Sequence, residues 1–357
     1  MHCPMDRLTF SLAAVFLMLA PGGKARETTP AETPKAAFPQ GSPDEPLRGE
    51  LSLAKAAESL DGTALAWVRK HKCGSCHTGW PYVSSRALLT REAPADALAE
   101  VRAFFEGRIT NWDADEQVKK HQHREIVGTA AALAMHDAQS TGRLHPVTRQ
   151  ALDRMWALQR KDGAWNWPKC GWPPFEVDDY YGAVLAAVGA GHAPENYARS
   201  DAAKAGVDKM RAYLKKTPAP NLHHRAWLLW AAVRLDGLLS DEEKQVIIRD
   251  LLALQRVDGG WSMESLGPEW TGREGGKSNP NAPSDGYGTG LVVLVLREAG
   301  LPAGHAALQR GVKWLSTNQR ESGRWFTRSL NGVPQHFISD TATVFAVLAL
   351  KACASGE

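Results

Sequence analysis

Apolar positions along this chain follow two alternating patterns, both helical. One kind of segment keeps its apolar residues on a stripe of period 3.6: Val147–Leu158, Asp241–Leu254 and Ala303–Leu315. The other kind is apolar on nearly all faces, as in the runs that open at Asp179-Tyr180-Tyr181, Asp285-Gly286-Tyr287 and Asp340-Thr341-Ala342. A striped helix covers a core, whereas a helix apolar all round must sit inside one. Two further pairs repeat the alternation, Ala97–Gly107 with Arg124–Ala138 and Ala202–Lys215 with His224–Asp236. An opening pair is predicted at Leu51–Lys70 and in a short helix after Pro81. No stretch shows a sustained strand alternation. Six outer and six inner helices in alternation predict an all-α fold, a single (α/α)6 toroid.

A short motif marks the end of three outer helices. Gln159-Arg160-Lys161-Asp162-Gly163-Ala164-Trp165 recurs as Gln255-Arg256-Val257-Asp258-Gly259-Gly260-Trp261 and as Gln319-Arg320-Glu321-Ser322-Gly323-Arg324-Trp325. Self-similarity on this scale signals stacked supersecondary units. The glycine is expected to cap the helix C-terminus in the left-handed region. The tryptophan is expected to fold back as an apolar plate, and the glutamine to serve exposed backbone groups. Each Asp-led inner run is expected to be N-capped by that aspartate.

These repeats and Asp-led helices resemble the squalene–hopene cyclase and prenyltransferase-repeat superfamily over roughly residues 51–353. The resemblance implies the toroid fold. It also implies a role for Glu176-Val177-Asp178-Asp179, because such cyclases protonate an alkene with the central Asp of an Asp-x-Asp-Asp motif at an inner-helix start. Transferred residue by residue, the acid is Asp178, flanked by Asp179 and by Glu176, which stands where the pattern has Asp. Crowded carboxylates in an apolar cavity are expected to raise one another's pKa. Helix capping explains the same aspartates without catalysis. The Asp-x-Cys zinc pair of protein prenyltransferases has no counterpart at Asp285-Gly286-Tyr287, which excludes that activity.

The sharpest chemical signal occupies the place in the first repeat where the others carry the Gln-to-Trp motif. Cys73-Gly74-Ser75-Cys76-His77 has the spacing of c-type haem attachment, with two thioether thiols and His77 as axial iron ligand. Distal candidates are His123, His224 and His336, together with His121 and His223. A Cys73–Cys76 disulfide, a longer pairing, or zinc held by Cys73, Cys76, His77 and Cys170 are the competing readings.

Composition adds context. The 357 residues are 43% hydrophobic and 23% charged, enough for a large core. Forty-two Lys+Arg against 39 Asp+Glu gives +3, too even for a nucleic-acid partner. Tryptophan, at 13, outnumbers phenylalanine at 9, and Trp165, Trp167, Trp172, Trp227 and Trp230 with Phe175, Tyr180 and Tyr181 could line a cavity for an apolar or sugar-like ligand. Residues 1–25 read as a secretory signal, with an apolar Leu8–Ala20 run too short to span a bilayer, and 26–50 as a disordered, Pro-rich linker ahead of the toroid at 51–357. The sequence therefore predicts an exported protein without a membrane span in its mature form. Its expected partners are an apolar small molecule or a redox protein. The functional expectation is a redox module with one haem c, and the alternatives are a cyclase acting on a polyisoprenoid and a non-catalytic binding toroid.

Overall fold

A computed structural model describes residues 42–72, 74–331 and 338–354. The leader, Cys73 and His336 lie outside the described residues. The helices are α1 (Leu53–His71), α2 (Gly79–Val83), α3 (Asp96–Thr110), α4 (Glu116–Lys120), α5 (Gln122–Ser140), α6 (Pro146–Ala157), α7 (Asp179–His192) and α8 (Asp201–Lys216). They continue as α9 (Leu222–Arg234), α10 (Asp241–Ala253), α11 (Met263–Leu266), α12 (Gly286–Glu298), α13 (Ala306–Thr317) and α14 (Ile338–Ala354). Short 3-10 turns at Arg86–Leu89, Trp112–Ala114 and Tyr197–Arg199 and isolated β-bridges accompany them among the described residues.

The inner helices close into a ring, each packed on the next: α2 on α5, then α7, α9, α12, α14 and back to α2. The outer helices α1, α3, α6, α8, α10 and α13 sheathe them. Burial follows the two sequence patterns. Outer α13 buries the stripe Ala307, Leu308, Gly311, Trp314 and Leu315, whereas inner α12 buries every residue from Gly286 to Leu296. Inner α2 is the short member. The segment that follows it is anchored by Arg86, whose buried guanidinium grips Asp61 at 2.7 Å while Tyr82 donates to the same carboxylate.

The repeated motif is the rivet between neighbouring hairpins. Gln159 Nε2 donates to Gly163 O and to Gly206 O of α8; Gln255 Nε2 donates to Gly259 O and Ala307 O of α13; Gln319 Nε2 donates to Gly323 O and Ser52 O at the head of α1. Each motif tryptophan returns its indole N–H to a carbonyl ten residues back: Trp165 to Met155, Trp261 to Leu251, Trp325 to Leu315. The glycines depart from expectation. Helices α6, α10 and α13 each end six residues earlier, with right-handed Leu158 and Leu254 and with Asn318 as C-caps. Gly163, Gly259 and Gly323 instead close the following turn at φ 98, 90 and 88°, pressed against the backbone of the next outer helix. A left-handed residue without a side chain is required there because the next helix leaves no room for a Cβ.

The third motif shuts the ring. Residues 46–48 pair with it through Arg48 N to Gln319 O at 2.8 Å and Glu321 N to Pro46 O at 3.0 Å. The described part of the predicted linker is thus tied to the toroid. No helix among the described residues is long and apolar enough to cross a membrane.

Candidate functional site

The N-termini of the inner helices face one end of the ring, and below them lies a hollow of about 520 Å3 including its mouth. Trp80, Phe175, Tyr181, Trp227, Trp230 and Phe345 give it aromatic faces, and Leu185, Met135, Val344 and Leu348 complete an apolar wall. Packing between repeats therefore accounts for Trp165, fully buried against α6, while Trp227 and Trp230 do border the cavity.

The three carboxylates of Glu176-Val177-Asp178-Asp179 point to three different partners. Asp179 accepts from Trp167 N at 3.0 Å and from Arg160 at 2.8 Å. Glu176 accepts from Arg124 at 3.2 Å, and the Cys76 thiol approaches it at 3.6 Å. Asp178 N-caps α7 by accepting from Tyr181 N at 2.9 Å, and its second oxygen lies 3.1 Å from His224 Nε2. The expected mutual elevation is therefore corrected. Burial pushes the Asp178 carboxyl upward, but His224 together with the Tyr181 and Tyr180 backbone N–H groups outweighs it and holds the group below its ordinary range.

The Asp178–His224 contact sets a carboxylate oxygen 3.1 Å from the imidazole Nε2. Asn221 fixes its own amide orientation, since Oδ1 accepts from His224 N at 3.0 Å and Nδ2 donates to Glu269 at 2.5 Å. His224 Nδ1, 2.7 Å from that same Oδ1, must then be the donor, which assigns its hydrogen. A neutral His224 consequently presents bare Nε2 to Asp178. A proton shared across the 3.1 Å gap makes either imidazolium with carboxylate or imidazole with carboxylic acid.

Next to this pair runs a buried ladder of charge that the sequence reading missed. Asp115, Arg108, Glu125, Arg124 and Glu176 alternate in sign, with Arg108 to Glu125 at 3.0 Å and Arg124 to Glu125 at 3.3 Å. The signal was present in Arg124-Glu125, two charges at the head of an otherwise apolar inner run. The ladder ends at Cys76, whose thiol burial and Glu176 push well above its ordinary pKa. That thiol is a poor nucleophile.

The CxxCH residues separate. Cys76 borders the hollow, whereas His77 does not: its Nδ1 lies 3.0 Å from Ser75 Oγ and 2.9 Å from Thr78 Oγ1, and its ring meets Trp67 edge-on at 4.9 Å. Thr341 further pins the loop by donating to His77 O. A haem seated in the central hollow would need the Cys76 thioether and His77 to reach the same porphyrin, and these residues do not fit that arrangement. Cys170 is in a disulfide whose partner lies outside the described residues, while Cys76 and Cys353 are free thiols. A Cys73–Cys76 pair is thereby corrected, and Cys170 cannot supply the thiolate that the four-ligand zinc reading required. Among the described residues no three His, Cys, Asp or Glu side chains converge as a metal site.

The described distal candidates have other partners. His123 Nε2 faces Asn166 at 3.4 Å, and His224 is committed to Asp178 and Asn221. His121 is driven down to about 4 by burial and by Arg124, Lys120 and Arg108. His223 is fully buried, and its Nε2 receives the Tyr287 hydroxyl at 2.8 Å and the Trp227 indole at 3.1 Å.

Comparison with known proteins agrees with the architecture. No family model matches the chain. A stretch of 125 residues is 31% identical to squalene–hopene cyclase of Bradyrhizobium diazoefficiens, covering 32% of this chain and 18% of that protein. The chain thus matches less than a fifth of that relative's length. Among solved structures, a glycosidase variant superposes with a TM-score of 0.50 and a glycosidase variant in complex with glucose with 0.51. Both are 12% identical, over 85% of this chain and 98% of theirs, which shows the fold alone. The chain is an α/α toroid that resembles squalene–hopene cyclase over about a third of its length.

Proposed function

We propose that this protein admits an apolar alkene to the aromatic hollow and starts its rearrangement with a proton from the Asp178–His224 pair, a terpenoid-cyclase-type reaction. The supporting observation is the 3.1 Å Asp178–His224 contact at the heads of α7 and α9, the two helices whose Tyr181 and Trp227 line the aromatic-walled cavity. At rest the Asp178 carboxyl is held below its ordinary range. Asp178 is about 30% exposed, so an apolar occupant that strips its water raises its pKa and draws a proton onto it. Transfer to a trisubstituted double bond forms a C–H bond, breaks the π bond and leaves a tertiary cation together with the Asp178 carboxylate. Aromatic faces such as Tyr181 and Trp227 stabilise that cation, and loss of a proton to water ends the reaction. The glutamate at position 176 serves Arg124 and Cys76 rather than the proton donor.

The test is incubation with linear polyprenes in D2O, followed by mass spectrometry of the products. The expected result is one deuterium on the methylene carbon next to the gem-dimethyl centre, formerly the CH of the terminal double bond, and a rate at least ~100-fold lower in Asp178→Asn, the usual scale for losing a general acid. Asn caps a helix as well as Asp, so the variant keeps α7 intact. Unchanged polyprene, or equal turnover by Asp178→Asn, refutes the reading.

Haem on Cys73, Cys76 and His77, seated outside the central hollow, is a second proposal, resting on the motif spacing. Expression with a cytochrome-maturation system tests it: a Soret band lost in Cys76→Ser supports it, and a colourless protein refutes it. Export is proposed likewise from the leader, and the Cys170 disulfide supports an oxidising destination. Periplasmic fractionation decides that point.

A further inference from the structure

We infer that the hollow accepts isoprenoid chains of no more than about 20 carbons and excludes a 30-carbon chain such as squalene. This rests on the proposed reading of the hollow as a polyprene site and adds the size of its occupant. Two independent dimensions set the limit. The lining runs along α5 from Gly128 to Met135 and along α14 from Thr341 to Leu348, seven residues in each case. At a rise of 1.5 Å per residue the hollow is about 10 Å deep. An extended chain advances about 1.2 Å per bond, as the three-bond peptide unit shows, so a four-bond isoprene unit needs about 5 Å. Two units fit end to end, and longer chains must fold back.

Volume gives the second limit. A five-carbon unit occupies about 115 Å3 of space at interior packing density. The hollow's 520 Å3 counts open space at its mouth and still falls short of six such units. Its far end is closed by Trp230, which packs edge-on against His192 at 5.4 Å and against Phe345 at 6.2 Å, with Met135 and Leu348 beside it. These side chains act as the ruler.

Titration of the full chain with geraniol, farnesol, geranylgeraniol and squalene, read by quenching of tryptophan emission, tests the inference. Saturable quenching by the 10- to 20-carbon alcohols, with squalene at least 10-fold weaker, is the expected result. Leu348→Ala, or Trp230→Leu should the first fail to fold by circular dichroism, is expected to improve the ratio of 20- to 10-carbon affinity at least 5-fold. Squalene binding as tightly as farnesol overturns the size limit while leaving the polyprene site standing. Absence of quenching by every polyprene overturns the site and the limit together.

Discussion

Substitution of Gln319 by alanine opens the ring at its seam, and the structure fixes the size of the effect. The side chain is almost wholly buried and makes three hydrogen bonds: Nε2 to Ser52 O and to Gly323 O, both at 2.9 Å, and Oε1 from Ser52 N at 2.7 Å. Gln159, in the same place between α6 and α8, makes the two Nε2 bonds alone, to Gly163 O and Gly206 O at 2.9 Å. At about 1 kcal/mol per net hydrogen bond, Gln319→Ala costs about 3 kcal/mol and Gln159→Ala about 2. In a domain of this size that is a fall in Tm of roughly 6 and 4 °C. The two variants also differ in where they loosen the fold. Gln319 joins the last repeat to the first, so its loss should free residues 45–60, tied there by Glu321 N to Pro46 O and Arg324 to Ser59, before the rest. Thermal unfolding with hydrogen exchange measures both. Equal Tm shifts with unchanged exchange in α1 would refute a ring held shut by this glutamine.

Three further outcomes follow from individual side chains. Burial raises Asp285 to about 6 from an ordinary value of 3.8. Between those values the folded state binds more protons than the unfolded chain, so this group removes stability as pH rises from about 4 to 6, by about 3 kcal/mol in all. Urea unfolding across pH 4–7 should show that slope in the wild type and a shallower one in Asp285→Asn. Gly163→Ala should cost at least ~3 kcal/mol, because its Cβ would lie 2.1 Å from Lys209 O. Gly142→Ala, at φ 66° with open space around it, should cost about 1; equal urea midpoints would show that the tight turn does not bind the repeats. Finally, alkylation in denaturant without reductant should label Cys76 and Cys353 but leave Cys170 unlabelled until reduction, as peptide mass mapping would show.

The fold was legible because its signals are local and periodic. A striped helix followed by an apolar one can be read from hydrophobic spacing, and the repeat of Gln159, Gln255 and Gln319 shows that each hairpin meets its neighbour in the same way. Helix ends follow closely: α10 begins at Asp241 as read, with Ser240 and Glu243 forming a capping box before it. What misled was the glycine. Asp-Gly after a helix suggests a C-cap, yet the helix tightens and stops earlier, and the glycine is needed one turn later by the approach of another helix. That requirement is tertiary, and nothing within ten residues of Gly163 announces Lys209.

The site was less legible for the same reason carried further. Glu176, Asp178 and Asp179 are neighbours in sequence, and proximity predicts repulsion among them. On the ring each faces a different hairpin: Arg124 of α5, His224 of α9 and Arg160 after α6. A helix N-terminus splays successive side chains by about 100°, so adjacent residues must sample different neighbours in a closed ring. The partner then sets the chemistry. His224 helps to lower Asp178, Arg124 holds Glu176 beside the Cys76 thiol, and Arg160 locks Asp179 into structure. The same logic divides Cys76 from His77, which are adjacent in the chain but meet the hollow and Trp67 respectively. A linear motif names residues that lie close along the backbone, whereas a toroid distributes them around its axis. In this fold the productive pair is therefore one that spans two hairpins, Asp178 with His224, and no spacing within either segment could have disclosed it.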